Sequence, residues 1–310
     1  MKKRILILGG FGFMGRNTNI AFANDDRYEI INESRRTDCD IRDLSRLKEK
    51  IREINPDIII NAAAIVGSLN YLTKNAADVI HDNAQMYLNL YRAVSEVNDK
   101  ILIINPISNC TYASTIDIQH ENLLFDGPLH KSIQSFGMPK RLGFITSECY
   151  REQYGIKTIN LIIPNAYGEN DYLDTDKTHA MNGIVMRMIQ AMKNGDKEFL
   201  VWGTGKPVRE WIYMPDAGRL IKEIIDNKRY DLPNPINAGQ ENGISILDTV
   251  LIIKEMLEYD TDVVFDTTKQ DGAPIKILGS KLFQEYFPEF VFTDYREGIK
   301  NTINYYKELI

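Results

Sequence analysis

Cysteine is scarce in this chain, with three in 310 residues, at positions 39, 110 and 149. The number is odd and the spacing matches no metal-ligand pattern, so neither a disulfide framework nor a bound metal is expected, and a reducing, cytoplasmic setting fits best. Long apolar runs are also missing. Nothing approaches the roughly 20 residues that cross a bilayer, so no membrane partner is expected. Behind the basic start the apolar run is only Ile5 to Leu8 before Gly9-Gly10, too short for a signal peptide and the right length for a buried strand. Positive charge is not in excess: 37 Lys and Arg against 43 Asp and Glu leave a net −6. That balance disfavours nucleic acid as a partner while leaving room for a local basic pocket. Internal repeats and low-complexity linkers are absent too. What remains is an ordinary globular composition, 44% hydrophobic and 26% charged, in a chain long enough for a large domain with a second lobe.

Strand-like and helix-like segments alternate through the first half. Residues 3–8, 28–32, 58–62, 101–105 and 159–163 read as short apolar strands, and 14–23, 44–54, 82–97 and 140–154 have helical spacing. Near-continuous apolar strands alternating with helices predict an α/β fold, a doubly wound parallel sheet of the Rossmann kind. Beyond Pro164 the rhythm loosens. A polar loop is expected at 168–178, helices at 180–193, 246–258, 281–286 and 294–309, and a less regular segment at 199–215. The expected division is a dinucleotide-binding domain over 1–164 and a smaller C-terminal substrate lobe over 165–310, with some segments returning to the first domain and a cleft between the two.

Gly9-Gly10-Phe11-Gly12-Phe13-Met14-Gly15 lies between the first strand and the first helix. Glycines at this spacing let the chain turn tightly and let a pyrophosphate approach helix N-terminal amides, so Gly9, Gly12, Phe13, Met14 and Gly15 are expected at a dinucleotide. After the second strand, Glu33 is the kind of residue that accepts ribose hydroxyls, whereas Arg35 and Arg36 are the kind that clamp a 2′-phosphate. The two arginines tip the expectation towards NADP(H), with NAD(H) the alternative. Asp40 and Ile41 are candidate adenine contacts, and Ala62, Ala63, Ala64 and Pro164 follow strands that end beside the same cofactor.

Three segments carry a resemblance: Asn61-Ala62-Ala63-Ala64-Ile65-Val66-Gly67-Ser68, Ser108-Asn109-Cys110-Thr111-Tyr112 and Pro164-Asn165-Ala166-Tyr167-Gly168-Glu169-Asn170-Asp171. Together with Val201 to Glu210 and Asp271 to Lys276 they resemble the extended short-chain dehydrogenases, and within them the GDP-L-fucose synthases. That family epimerises two carbons of a GDP-4-keto-6-deoxy sugar and reduces the ketone with NADPH. The resemblance implies that Ser108 hydrogen-bonds the ketone, that Cys110 and His179 exchange protons as base and acid, and that Lys140 binds the nicotinamide ribose. It also implies that Asn165, Trp202, Arg209 and Lys276 hold a nucleotide-diphosphate sugar, a GDP-sugar by preference, and that helices 82–97 and 140–154 form a homodimer. The bland alternatives are Cys110 as a small buried hydrophobe, His179 as a solvated helix start and Trp202 as core.

Phe136 departs from the pattern. The family carries a tyrosine four residues before the lysine, whose hydroxyl protonates the developing alkoxide. Phenylalanine keeps the ring and removes that hydroxyl, which reads first as an engineered or inactive variant and second as a natural loss. No carboxylate stands beside Ser108, which disfavours sugar dehydration. The competing expectations are a 4-ketoreductase or 4-epimerase in which Cys110 and His179 are bystanders, and a catalytically silent dinucleotide sensor.

Overall fold

The computed structural model describes residues 2–310 except 175 and 270, so position 175 of the expected 168–178 loop lies outside it. Thirteen strands are present among these residues: β1 (Lys3–Leu8), β2 (Tyr28–Glu33), β3 (Ile58–Asn61), β4 (Leu102–Ser108), β5 (Ile118–Gln119), β6 (Thr158–Ile163), β7 (Asn165–Tyr167), β8 (Glu198–Trp202), β9 (Val208–Tyr213), β10 (Ile236–Asn237), β11 (Gly243–Ser245), β12 (Asp262–Asp266) and β13 (Ile275–Leu278). Six of them form a parallel sheet in the order β10-β6-β4-β3-β1-β2. The α/β, doubly wound expectation holds. Along β1 the alternation of a strand sends Ile5 and Ile7 into the core beneath helices Phe13–Phe22 and Met214–Asp226. Leu6 and Leu8 face the opposite core, under Leu44–Ile54 and Ala76–Val97. A strand buried on both faces needs apolar residues at every position, which is why these runs are unbroken.

The smaller sheet runs β11-β9-β13-β5, with β7 also on β9, and β8 pairs with β12 apart from it. The two halves exchange strands. β10, from the second half, extends the large sheet on β6, while β5, from the first half, joins the small sheet on β13.

Two helix starts differ from the sequence reading. Ala76–Val97 begins six residues before the expected 82, directly after the short helix Leu69–Lys74, and Gln134–Tyr154 begins six before the expected 140. The second difference arises at Pro139. A proline there reads as a boundary, but it sits inside the helix as its sixth residue, where it forgoes one bond, to Ser135 O, and the helix continues through it. The segment expected to be irregular at 199–215 resolves into β8 and β9. Among the described residues no helix is long and apolar enough to cross a membrane.

Candidate active site

All the main strands point their C-terminal ends at one edge of the large sheet, and the strand order reverses between β1 and β3. Ligands of open α/β sheets bind at such a switch point. Gly9 follows β1 with φ +80°, and a Cβ on it would stand 2.8 Å from the backbone of Ala62 and Ala63 behind β3. Only glycine allows this approach. The loop then enters Phe13–Phe22, whose N-cap is Gly12 with no side-chain cap and no acidic residue in the first turn. Its first amides are free for an anion, so the residues fit a dinucleotide pyrophosphate. Gly15 does not line the cavity; a Cβ there would meet Gly9 O and Gly10 Cα at 2.5 Å, so it serves helix-to-loop packing.

A continuous cavity of about 1080 Å³ runs from this loop into the second lobe. Gly9, Gly12, Phe13, Met14, Arg35, Arg36, Asp40, Ile41, Ala62, Ala63, Ala64 and Pro164 line one end. Asn165, Trp202, Arg209 and Lys276 line the other, with Ser108, Cys110, Phe136, Lys140 and His179 between. Glu33, like Gly15, is an exception among the expected cofactor residues. Its carboxylate pairs with Lys50 at 3.2 Å, accepts from Thr37 at 2.5 Å and stays out of the cavity. Ser34, Arg35 and Arg36 take the exposed side of that turn instead. The carboxylate of Asp40 is held by Arg42 at 2.6 Å, which keeps it below the usual carboxylate range.

Ser108 ends β4 and Cys110 follows in a single 3-10 turn, Asn109–Thr111, with Ser108 Oγ accepting from the Cys110 amide at 3.3 Å. The helix Gln134–Tyr154 presses on this turn through Gly137, where a Cβ would lie 2.3 Å from Cys110 O. Because the helix starts at 134, Phe136 and Lys140 are four residues apart on one face. Lys140 Nζ sits 5.2 Å from the Phe136 ring centroid and donates to Tyr87 Oη at 3.1 Å. Burial pushes the Lys140 ammonium down to about 8, against a smaller opposing pull from Cys110. The phenol of Tyr112 is turned away, donating to Asn237 at 2.8 Å.

At Cys110 burial works against a thiolate, yet Lys276, the Ser108 hydroxyl and Arg209 outweigh it and hold the thiol below its ordinary value. Lys276, expected on a diphosphate, has Nζ 3.2 Å from Cys110 Sγ. Across the cavity His179 opens the helix Ala180–Asn194. Its Nδ1 lies 3.0 Å from Asp171 Oδ2, an oxygen that also accepts from the His179 amide, Thr178 and Asn182. Burial raises the Asp171 carboxyl, but the charge and hydrogen bonds of His179 exceed it and the net shift is downward. The arrangement leaves Nε2 as the free ring nitrogen.

Trp202 is not core: it is 53% exposed at the cavity rim, with the Arg187 guanidinium 4.8 Å from its ring. Arg187 also lines the cavity, and neither it nor Arg209 has a carboxylate partner within 4 Å among the described residues. Unpaired buried cations facing a cavity are suited to phosphate. Sequence reasoning gave no role to Asp171 or Arg187. An arginine inside the apolar run Met186 to Ile189 was the available signal for one, and Asp171 closes one of the segments that carry the resemblance. Among the described residues no group of three His, Cys, Asp or Glu side chains is placed to hold a metal.

A model of the NAD dependent epimerase/dehydratase family matches residues 5–239. The chain belongs to that family. Within this epimerase/dehydratase family it is similar to the GDP-L-fucose synthase of Dictyostelium discoideum, 27% identical over 308 residues, covering 98% of this chain and 95% of the other. Among solved structures it is similar to a GDP-L-fucose synthetase from Naegleria fowleri bound to NADP, with TM-score 0.87 and 25% identity, covering 99% and 95% of the two chains. A GDP-6-OMe-4-keto-L-xylo-heptose reductase from C. jejuni shares the fold at TM-score 0.90 and 21% identity, covering 100% and 99%.

Proposed function

We propose that this protein is an NAD(P)-dependent epimerase/reductase acting on a GDP-4-keto-6-deoxyhexose, with NADP(H) favoured. The observation that carries the reading is one cavity in which Ser108, a thiol held low in pKa and an Asp-oriented imidazole converge, between a glycine loop and two unpaired arginines. The activities of the D. discoideum and N. fowleri relatives lend it support. The cavity, at about 1080 Å³, exceeds the roughly 300–1000 Å³ of a site for a single drug-sized ligand.

In this reading the amides of Phe13 and Met14 would hold the pyrophosphate, Arg35 and Arg36 a 2′-phosphate, and Lys140 the nicotinamide ribose. When bound, NAD(P)H supplies a hydride for the ketone. Ser108 donates to the ketone oxygen, which stabilises the enolate of epimerisation and the alkoxide of reduction alike. Cys110 removes a proton α to the ketone, and His179, oriented by Asp171, returns one from the other face. Arg187 and Arg209 take the diphosphate, and Asn165 and Trp202 the remainder of the nucleotide sugar. Phe136 supplies packing and no proton, so the epimerising half of the machinery is complete and the reducing half lacks its phenol.

The test is to incubate the protein with GDP-4-keto-6-deoxy-mannose in deuterated water and follow C3 and C5 by mass spectrometry. Deuterium is expected at one or both carbons, and it disappears in Cys110→Ala. Ketone reduction without any exchange would replace this reading with that of a simple ketoreductase.

A homodimer belongs to the same proposal. Ile80 and Leu88 on one helix and Met138, Leu142 and Ile145 on its neighbour are large apolar residues left exposed on two adjacent helices. Sedimentation should give twice the chain mass, and Leu142→Glu with Ile145→Glu should give a folded monomer. A monomeric parent protein would end the proposal.

A further inference from the structure

We infer that Lys276 is a positioning residue for Cys110, its ammonium paired with the sulfur as a thiolate, and not a ligand of the substrate diphosphate. The catalytic use of that pair rests on the epimerisation reading above; the pair itself does not.

Lys276 lies on β13 as the register partner of Arg209 on β9, so the small sheet delivers two cations side by side beneath the Cys110 turn. The Lys276 side chain is almost wholly buried, and its Nζ lies 3.2 Å from Cys110 Sγ and 3.5 Å from Asn109 Oδ1. A buried ammonium needs a counter-charge. Among the described residues no carboxylate lies within 4 Å of it, the Asn109 amide is neutral, and the sulfur is the one contacting atom able to carry a negative charge.

The other groups facing the sulfur agree. Ser108 contributes a hydroxyl from β4, Arg209 a guanidinium from β9, and Lys140 an ammonium from the helix Gln134–Tyr154; none is an anion. Phosphate binding does not require Lys276, because Arg187 and Arg209 already face the cavity unpaired.

The proton balance is simple. The thiolate takes the α-proton, forming S–H as C–H breaks, and the electron pair passes into the enolate, with its charge on the ketone oxygen beside Ser108. His179 then delivers its proton to the opposite face. Cys110 is left as thiol and His179 as neutral imidazole, and exchange of one proton with solvent resets the pair. Lys276 stays protonated throughout.

The experiment measures Cys110 directly in the full chain without substrate. Iodoacetamide alkylation is followed by peptide mass spectrometry from pH 5 to 10, with an added unstructured cysteine peptide as reference. Thiolate absorbance at 240 nm, as the difference from Cys110→Ala, gives the same midpoint if the reagent is excluded. Cys110 should titrate below the peptide thiol. Lys276→Met should raise its midpoint by about one unit or more, slowing alkylation roughly tenfold at pH 7, and Lys276→Arg should restore most of the loss. An unchanged midpoint in Lys276→Met, or a parent midpoint equal to that of the peptide thiol, would overturn the inference. A lowered midpoint in a protein that exchanges no deuterium keeps the pair and removes the proposed reaction.

Discussion

Placing a hydroxyl at position 136 separates the two halves of the proposed chemistry. The Phe136 ring is 6% exposed, lines the cavity and lies 5.2 Å from Lys140 Nζ, so Phe136→Tyr adds one oxygen to a ring already held in place. The Lys140 charge beside that ring favours a phenolate and so works against the cost of burial, which by itself would hold a phenol up. A phenol so placed is a candidate general acid for the developing alkoxide. Such an acid contributes on the order of 10²–10⁴ in rate, which corresponds to about 3–5 kcal/mol of barrier. NADPH consumption at 340 nm with GDP-4-keto-6-deoxy-mannose should therefore rise at least 100-fold in Phe136→Tyr. Deuterium exchange at C3 and C5, which uses Cys110 and His179, should change little. A rise below about tenfold in a variant that folds and binds NADPH normally would show that position 136 is not where the proton is delivered.

Three other outcomes follow from the same geometry. Lys140 is buried, which pushes its pKa down to about 8 from an ordinary 10.5, so its charge opposes folding below pH 8 and the penalty fades as pH rises towards 10.5. Lys140→Met should stabilise the fold at pH 7 by up to about 3 kcal/mol in urea melts, with the gap closing near pH 10. The folded-state carboxyl of Asp171 lies below its usual value, so its contribution is present above about pH 4 and lost as pH falls through the folded pKa. Asp171→Asn should accordingly destabilise the protein at pH 6 but much less at pH 3, and at pH 7 it should cut deuterium exchange about 10–100-fold by releasing the imidazole. Replacing Arg35 and Arg36 together by Ala should weaken NADP⁺ binding on the order of 10–100-fold in calorimetry while leaving NAD⁺ nearly unchanged; equal losses for both would favour NAD.

The parts legible in the sequence were those whose signal is local. β1 and the glycine loop could be read because an apolar run, a tight turn and a helix start occur within a dozen residues, and Ser108 and Cys110 because they close the next long strand. Side-chain direction was not legible. Glu33 and Arg35 are two residues apart, and only the turn capped by Ser34 determines that the carboxylate goes under to Lys50 while the guanidinium goes out to the cavity. Pro139 hid the first turn and a half of its helix, and with it the shared face of Phe136 and Lys140. The contact of Lys276 with Cys110 spans 166 residues and depends on the pairing of β13 with β9, which no local pattern announces.

The crossed strands set limits on how this chain can be taken apart. A fragment cut at Pro164 would leave β6 as a bare sheet edge with no β10 to cover it, and would carry β5 as an orphan whose neighbour belongs to the missing piece. Neither half is a transplantable module, so recombination between relatives at that boundary should yield chimaeras that fail in both halves together. The same weave ties the two walls of the cleft like laced fingers, which resists a free swing of one half against the other. The backbone bond from Ser68 N to Asp176 O, 2.8 Å long, adds a stitch at the rim.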